Sequence, residues 1–235
     1  KIWQGGYSEC LKNGDRIRKY YKYPNIPKIK AEFSAQKCAY ENGINTAEPL
    51  FISSDRKDGR FFMESRFIKH RSGNEYPLSL ELLDKCLSEA MLLQKLATDN
   101  LRPFSFFGDE FSEAAEYYST ALKDDIAEEI EWLFSFENNV FVHGDLLLKN
   151  IGICSNEVFL FDFQNACCGP AGWDQAYILS EFSPEVSAKY IDEKTSRFVL
   201  LILKIRIGRA IKWKRDFSDI LQRLEEWERF IGAEK

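Results

Sequence analysis

Phe141-Val142-His143-Gly144-Asp145-Leu146-Leu147-Leu148-Lys149-Asn150 decides how this chain is read. Phe141-Val142 reads as the end of an apolar strand and His143-Gly144 as a turn, and the acid Asp145 is followed five positions later by the amide Asn150. That spacing lets one short loop offer two different oxygens to one cleft. A carboxylate can orient or deprotonate an attacking hydroxyl, and an amide oxygen can bind a hard cation. Twelve positions beyond Asn150 comes Asp162, at the end of the apolar run Val158-Phe159-Leu160-Phe161. Phe159, Phe161 and Phe163 make an unpaired carboxylate there costly, and a metal ion answers that cost.

Taken singly, each residue has a plainer reading: a turn-forming acid, a capping amide, an acid at a strand end. Together, in this order, they have the spacing of a site that moves a phosphoryl group from a nucleotide to a hydroxyl. Asp145 is then the candidate base, and Asn150 and Asp162 the candidate ligands of Mg²⁺. Two neighbours read as supports. His143 can tie the loop backbone to the core through its ring nitrogens. Asp174, an acid in the apolar helix start Trp173-Asp174-Gln175-Ala176, is placed to accept backbone amides of the loop.

A chain of 235 residues suffices for one domain, or for two lobes sharing a cleft. A net charge of −5 argues against nucleic acid as the main ligand, since a phosphate backbone needs a basic face. The six cysteines read as reduced, small apolar side chains, and two histidines are too few for a His-rich metal site. No signal peptide is legible. The longest apolar run, Phe198 to Leu203, stops at Lys204 and is too short to span a bilayer. The expectation is a cytoplasmic protein with no membrane span.

Along the chain, Ser8 to Lys12 and Arg16 to Tyr21 read as strands joined at Asn13-Gly14, a hairpin signal. Lys28 to Glu41 reads as a helix stopped by Gly43, with Ile29, Phe33, Gln36 and Tyr40 on one face. Pro49 to Ser53 and Arg60 to Phe67 are two further strands. From Ser79 to Thr98 the period is helical, Phe111 to Phe136 holds one or two helices, and Ile151 to Phe163 is a hairpin turning at Ser155-Asn156. Everything after Trp173 is helical, with breaks at Ser183-Pro184 and near Asp216. The boundary between a β-rich part, 1–68, and a mostly helical part, 69–235, falls after Ile68.

Upstream of the loop the signals are local. Gly5-Gly6 is a turn whose backbone can approach phosphates closely. No Gly-x-x-x-x-Gly-Lys-Ser/Thr loop is present, so a P-loop enzyme is excluded. Arg18 and Lys19 share the third predicted strand, and one of them should reach the phosphates and pair with Glu32. Strand alternation allows only one to face the cleft, and leaves open which.

These residues together resemble the aminoglycoside phosphotransferase and choline kinase superfamily, relatives of protein kinases, over nearly the whole chain. Gly5-Gly6-Tyr7-Ser8 is similar to that family's nucleotide loop, and Arg18 or Lys19 with Glu32 to its phosphate anchor. Phe62-Met63-Glu64-Ser65-Arg66 is similar to its hinge, where backbone groups of Glu64 and Arg66 would hold the adenine. The resemblance implies an α+β, bilobal, protein-kinase-like fold with a small β-rich N-lobe carrying one helix and a larger helical C-lobe. It further implies Mg²⁺, ATP or GTP as co-substrate, and an aminoglycoside, amino sugar or choline-like alcohol as acceptor. A lipopolysaccharide-core kinase or protein kinase of the same fold is the alternative among enzymes. A nucleotide-binding pseudokinase is the alternative among regulatory modules. Acids in the last helices, Glu181 foremost, could line the cleft and favour an amine-bearing acceptor.

Overall fold

The computed structural model describes residues 3–4, 8–22, 25–54 and 59–233. Strands β1 (Trp3–Gln4), β2 (Ser8–Asn13), β3 (Arg16–Tyr21), β4 (Pro49–Ser54) and β5 (Phe61–Arg66) form an antiparallel sheet in the order β1-β2-β3-β5-β4. Gly14, at φ +63°, makes the tight turn from β2 to β3. Between β3 and β4 runs helix α1 (Ile26–Glu41), capped by the Asn25 side chain, which accepts from the Lys28 N–H at 3.1 Å.

The inward face of α1 is not the one its large side chains mark. Ile29, Glu32, Ala35, Gln36 and Ala39 are buried, Phe33 is half-buried and Tyr40 is exposed. Glu32 turns the helix this way, because its charge partner lies on β3. Small Ala35 and Ala39 let the helix pack closely on β4 and on residues 163–165.

The remainder is mostly helical: α2 (Leu80–Leu93), α3 (Gly108–Leu122), α4 (Ala127–Phe134), α5 (Trp173–Leu179), α6 (Pro184–Ser187), α7 (Glu193–Lys212) and α8 (Ser218–Ala233). Short strands thread between them. β6 (Arg71–Ser72), β8 (Ile151–Cys154) and β9 (Glu157–Leu160) make one small sheet, and β7 (Val140–Val142) pairs with β10 (Cys167–Gly169). Helix α2 ends at Leu93, short of the expected Thr98, because residues 95 and 96 tighten into three-residue turns on Leu92 and Leu93.

Helix α7 is the spine of this part, packed against α3, α5 and α8. Gly208 lets α7 and α3 close up: a Cβ there would lie 2.0 Å from the Ala114 carbonyl oxygen. Beside that seam the buried rings of Phe104, Phe107, Phe111, Trp173 and Phe198 pack edge-to-face, tilted or stacked at 5.1–6.0 Å. The fold is therefore the bilobal, kinase-like α+β arrangement. The two parts are tied where Thr46 Oγ1 donates to the Leu160 carbonyl at 2.7 Å and the Leu160 N–H to the Asn45 carbonyl at 2.8 Å. That tie fixes β9, the strand leading to Asp162. Among the described residues no helix is long and apolar enough to cross a membrane.

Candidate active site

Strand β7 leads into fully buried His143, and fully buried Asp174 at the start of α5 grips the backbone where the Asp145 loop begins. The His143 N–H donates to Asp174 Oδ2 at 2.6 Å and the Gly144 N–H to Oδ1 at 3.0 Å. The His143 ring adds a third tie, with Nε2 at 2.8 Å from the Phe161 carbonyl; facing a carbonyl, that nitrogen carries the proton. Gly144 sits at φ +80°, and a Cβ there would be 2.4 Å from the Asn165 carbonyl oxygen. Only glycine lets the Asp145 loop lie this close to the segment after Asp162. Within the loop, Asn150 Nδ2 donates to the Asp145 carbonyl at 2.7 Å and to its Oδ2 at 3.0 Å. The amide is thereby oriented with its oxygen turned away from Asp145.

Asp162 follows β9 in the left-handed region, φ 65° and ψ 60°, a conformation unfavourable for a residue with a Cβ. Its partner comes from β3. Lys19 Nζ donates at 2.6 Å to Asp162 Oδ1 and at 2.6 Å to Glu32 Oε1, while the Tyr21 hydroxyl donates to Glu32 Oε2 at 2.8 Å. Burial opposes the charge on Lys19, but Asp162 and Glu32 outweigh it and hold the ammonium pKa well above its usual value. Burial likewise works against the Asp162 carboxylate, and Lys19 more than compensates, keeping that pKa below the ordinary range. Glu32 is pushed upward, because burial there exceeds the help from Lys19.

The alternation on β3 thus resolves in favour of Lys19. Arg18 points to the opposite face, where its Nε donates to Glu64 Oε2 at 2.6 Å and its guanidinium lies 4.7 Å from the Phe62 ring centre. The hinge expectation fails at Glu64. It lies mid-strand, paired with Arg18 on one side and Phe51 on the other, so neither edge is open to a base. The Arg66 N–H is equally committed, donating to the Glu48 carbonyl at 2.9 Å. Gly5 and Gly6 lie outside the described residues.

A cavity of about 770 Å³ is lined by Glu32, Asp145, Asn150 and Asp162 together. Among the described residues no cluster of three His, Cys, Asp or Glu side chains stands ready for a metal. Asp162 and Asn150 do bring a carboxylate and an amide oxygen to one cavity, a donor set suited to a hard cation that also takes phosphate oxygens. A model of the Phosphotransferase enzyme family matches residues 24–198. The chain belongs to that family.

No curated protein sequence matches this phosphotransferase significantly. Its fold is shared with solved structures of low identity. One is the GDP complex of an aminoglycoside 2'-phosphotransferase-IIIa mutant, 18% identical with TM-score 0.66, covering 100% of this chain and 92% of that one. Another is a choline/ethanolamine kinase family protein from Mesorhizobium loti, 14% identical with TM-score 0.67, over 96% and 85%. A third is an aminoglycoside phosphotransferase in ternary complex with AMP-PNP and hygromycin B, 12% identical with TM-score 0.68, over 99% and 92%.

The phosphotransferase cavity also has a wall that the sequence did not announce. Lys28, Arg102, Phe106, Arg209, Lys212 and Arg215 line it. Lys212 and Arg215 read as an ordinary basic helix end, and Arg102 as a loop residue before Pro103; only the packing of α1, α3 and α7 brings them to one cavity. The acids expected there are elsewhere. Glu181 is buried and gripped by Arg206 and Arg223, each at 2.8 Å, and is not part of the cavity wall. Its place directly after α5 turns it inward against α7 and α8 instead.

Proposed function

We propose that this chain transfers the γ-phosphoryl group of Mg²⁺-bound ATP or GTP to a hydroxyl of a small molecule. The observation that carries this is Lys19 joining Glu32 and Asp162, two carboxylates that line one cavity with the Asp145–Asn150 pair. Residues 1–68 form the nucleotide-binding lobe, and 69–235 the catalytic and acceptor-binding lobe. Lys19 anchors the phosphates and Glu32 fixes its direction. Asp162 and Asn150 would hold Mg²⁺, which supplies charge neutralisation at the phosphates. Asp145 takes the proton of the acceptor hydroxyl, held in position by Asn150 and, through the loop backbone, by Asp174 and His143. Aminoglycosides, amino sugars and choline-like alcohols share the hydroxyl, and the proposal commits to that group.

Thermal-shift titration with ATP and with GTP, each with and without Mg²⁺, tests the assignment. The wild-type chain should be stabilised by nucleotide only when Mg²⁺ is present, and Asp162→Ala should lose that Mg²⁺-dependent part. An unchanged Mg²⁺-dependent shift in Asp162→Ala would remove Asp162 from the metal site.

A further inference from the structure

Among the described residues the cavity wall carries six basic side chains against four carboxylates, and the pairing among them is uneven. Every carboxylate has a cation. Glu32 and Asp162 share Lys19, Asp145 has Lys149 Nζ at 3.2 Å, and Glu110 has Arg209 Nη2 at 2.8 Å. Lys212 is matched outside the wall by Glu113. Lys28, Arg102 and Arg215 are the remainder: among the described residues none of them has a carboxylate within ion-pair distance.

Two of these form a constructed group. Both meet the ring of Phe106, with Arg102 at 4.0 Å and Lys28 at 5.0 Å from its centre. Arg102 donates Nε to the Ala166 carbonyl at 3.1 Å and Nη2 to the Gln164 carbonyl, which aims the guanidinium without neutralising it. Burial lowers the Arg102 pKa, and the more distant carboxylates of Glu32 and Glu110 offset only part of that. A half-buried guanidinium with no carboxylate in ion-pair contact gains from an anion that completes it, and its planar fork suits carboxylate or phosphate oxygens. The carbonyls that aim Arg102 belong to the segment directly after Asp162, so this charge sits beside the reacting centre.

We propose that the acceptor of this phosphotransferase is an anionic hydroxyl compound, whose carboxylate or phosphate binds Lys28 and Arg102, with Arg215 at the rim, while its hydroxyl faces Asp145. The assignment rests on the proposed function and narrows it. The nucleotide arrives with much of its phosphate charge already met by Mg²⁺ and by Lys19, which leaves these three cations to the second substrate. An ammonium group placed among them would meet like charge and find every cavity acid already paired.

Inorganic phosphate is the probe. The full chain is first saturated with Mg²⁺ and AMP-PNP, then titrated with phosphate at constant ionic strength while the melting temperature is followed. A saturable rise is expected with phosphate and none with choline chloride. Lys28→Gln and Arg102→Gln should each weaken the apparent phosphate affinity about tenfold, the loss of one charged hydrogen bond, while retaining the AMP-PNP shift. Lys28 lies exposed in the first turn of α1, so its variant stays informative if Arg102→Gln loosens the 164–166 segment. The proposal is overturned if phosphate gives no shift on the nucleotide complex, or if both variants bind it as wild type does. It is also overturned if AMP-PNP abolishes a phosphate shift seen without nucleotide, since the cations then serve the nucleotide. Failure of the wild-type chain to respond to Mg²⁺ and AMP-PNP would refute the proposed function itself, and the acceptor assignment with it.

Discussion

Asp174→Asn keeps the size of the side chain that holds the Asp145 loop and removes one acceptor and the charge. Both carboxylate oxygens are in use, Oδ2 by the His143 N–H at 2.6 Å and Oδ1 by the Gly144 N–H at 3.0 Å, and the residue is fully buried. An amide has a single oxygen, so one of the two backbone N–H groups must face an NH₂. A hydrogen bond to a charged acceptor contributes about 1.5–3 kcal/mol, and a buried donor left without an acceptor costs about 1–3 kcal/mol. Relief from burying the charge runs the other way. Burial lifts the Asp174 pKa above its ordinary value in spite of His143 and the two N–H groups, so removing the charge returns part of the loss. The net expectation is a destabilisation of about 2–4 kcal/mol, or roughly 5–15 °C in Tm for a chain of this length. Thermal melts of wild type and variant by far-UV circular dichroism at neutral pH measure it. Melting points within about 2 °C of each other would refute the claim that Asp174 clamps the loop.

Asp145→Asn should keep the Mg²⁺-nucleotide shift and lower turnover by roughly 10²-fold, as loss of a general base does; turnover within a few-fold of wild type would remove Asp145 from that role. Gly208→Ala must push α7 away from the Ala114 carbonyl, and overpacking of that kind costs about 1–3 kcal/mol, so its urea midpoint should fall. An unmoved midpoint would contradict the close helix contact. For Glu64, burial alone would raise the pKa, but the hydrogen bonds from Arg16 and Arg18 outweigh it and hold the carboxylate below its ordinary range. A depressed folded-state pKa gives stability that is present above the unfolded glutamate value, about 4.3, and is lost as pH falls through the folded value. The Tm difference between wild type and Glu64→Gln should therefore be largest near neutrality and shrink below about pH 4. A difference independent of pH between 3 and 7 would show that the two arginines do not act through this charge.

The parts of the fold that rest on local chemistry were legible in the sequence. Asn13-Gly14 and Ser155-Asn156 turn their hairpins because glycine and asparagine tolerate positive φ, as Gly14 and Asn156 do here. The Asp145 loop was legible as a short turn that brings an acid and an amide together, and Asn150 does meet Asp145 within it. Lys19 was half legible. Lys19 and Tyr21 alternate onto one face of β3 and both reach Glu32, so the pairing of that acid with a Lys-x-Tyr strand was a usable signal. What completes the choice is Asp162, 143 positions away, which no local pattern announces. The same limit explains why the acids were misread. Glu181, seen in the sequence as an acid directly after the helix that starts at Trp173, is cancelled by arginines 25 and 42 positions later, whereas Arg102, an unremarked loop residue, has no carboxylate within ion-pair distance among the described residues. The charge a cavity offers a substrate is the residue of its pairings, and pairings are tertiary. An acceptor inferred from the count of acids near the site would carry the opposite charge from one inferred from the cations those acids leave unmatched. For this enzyme the second inference follows the geometry, because every acid on the cavity wall is already answered.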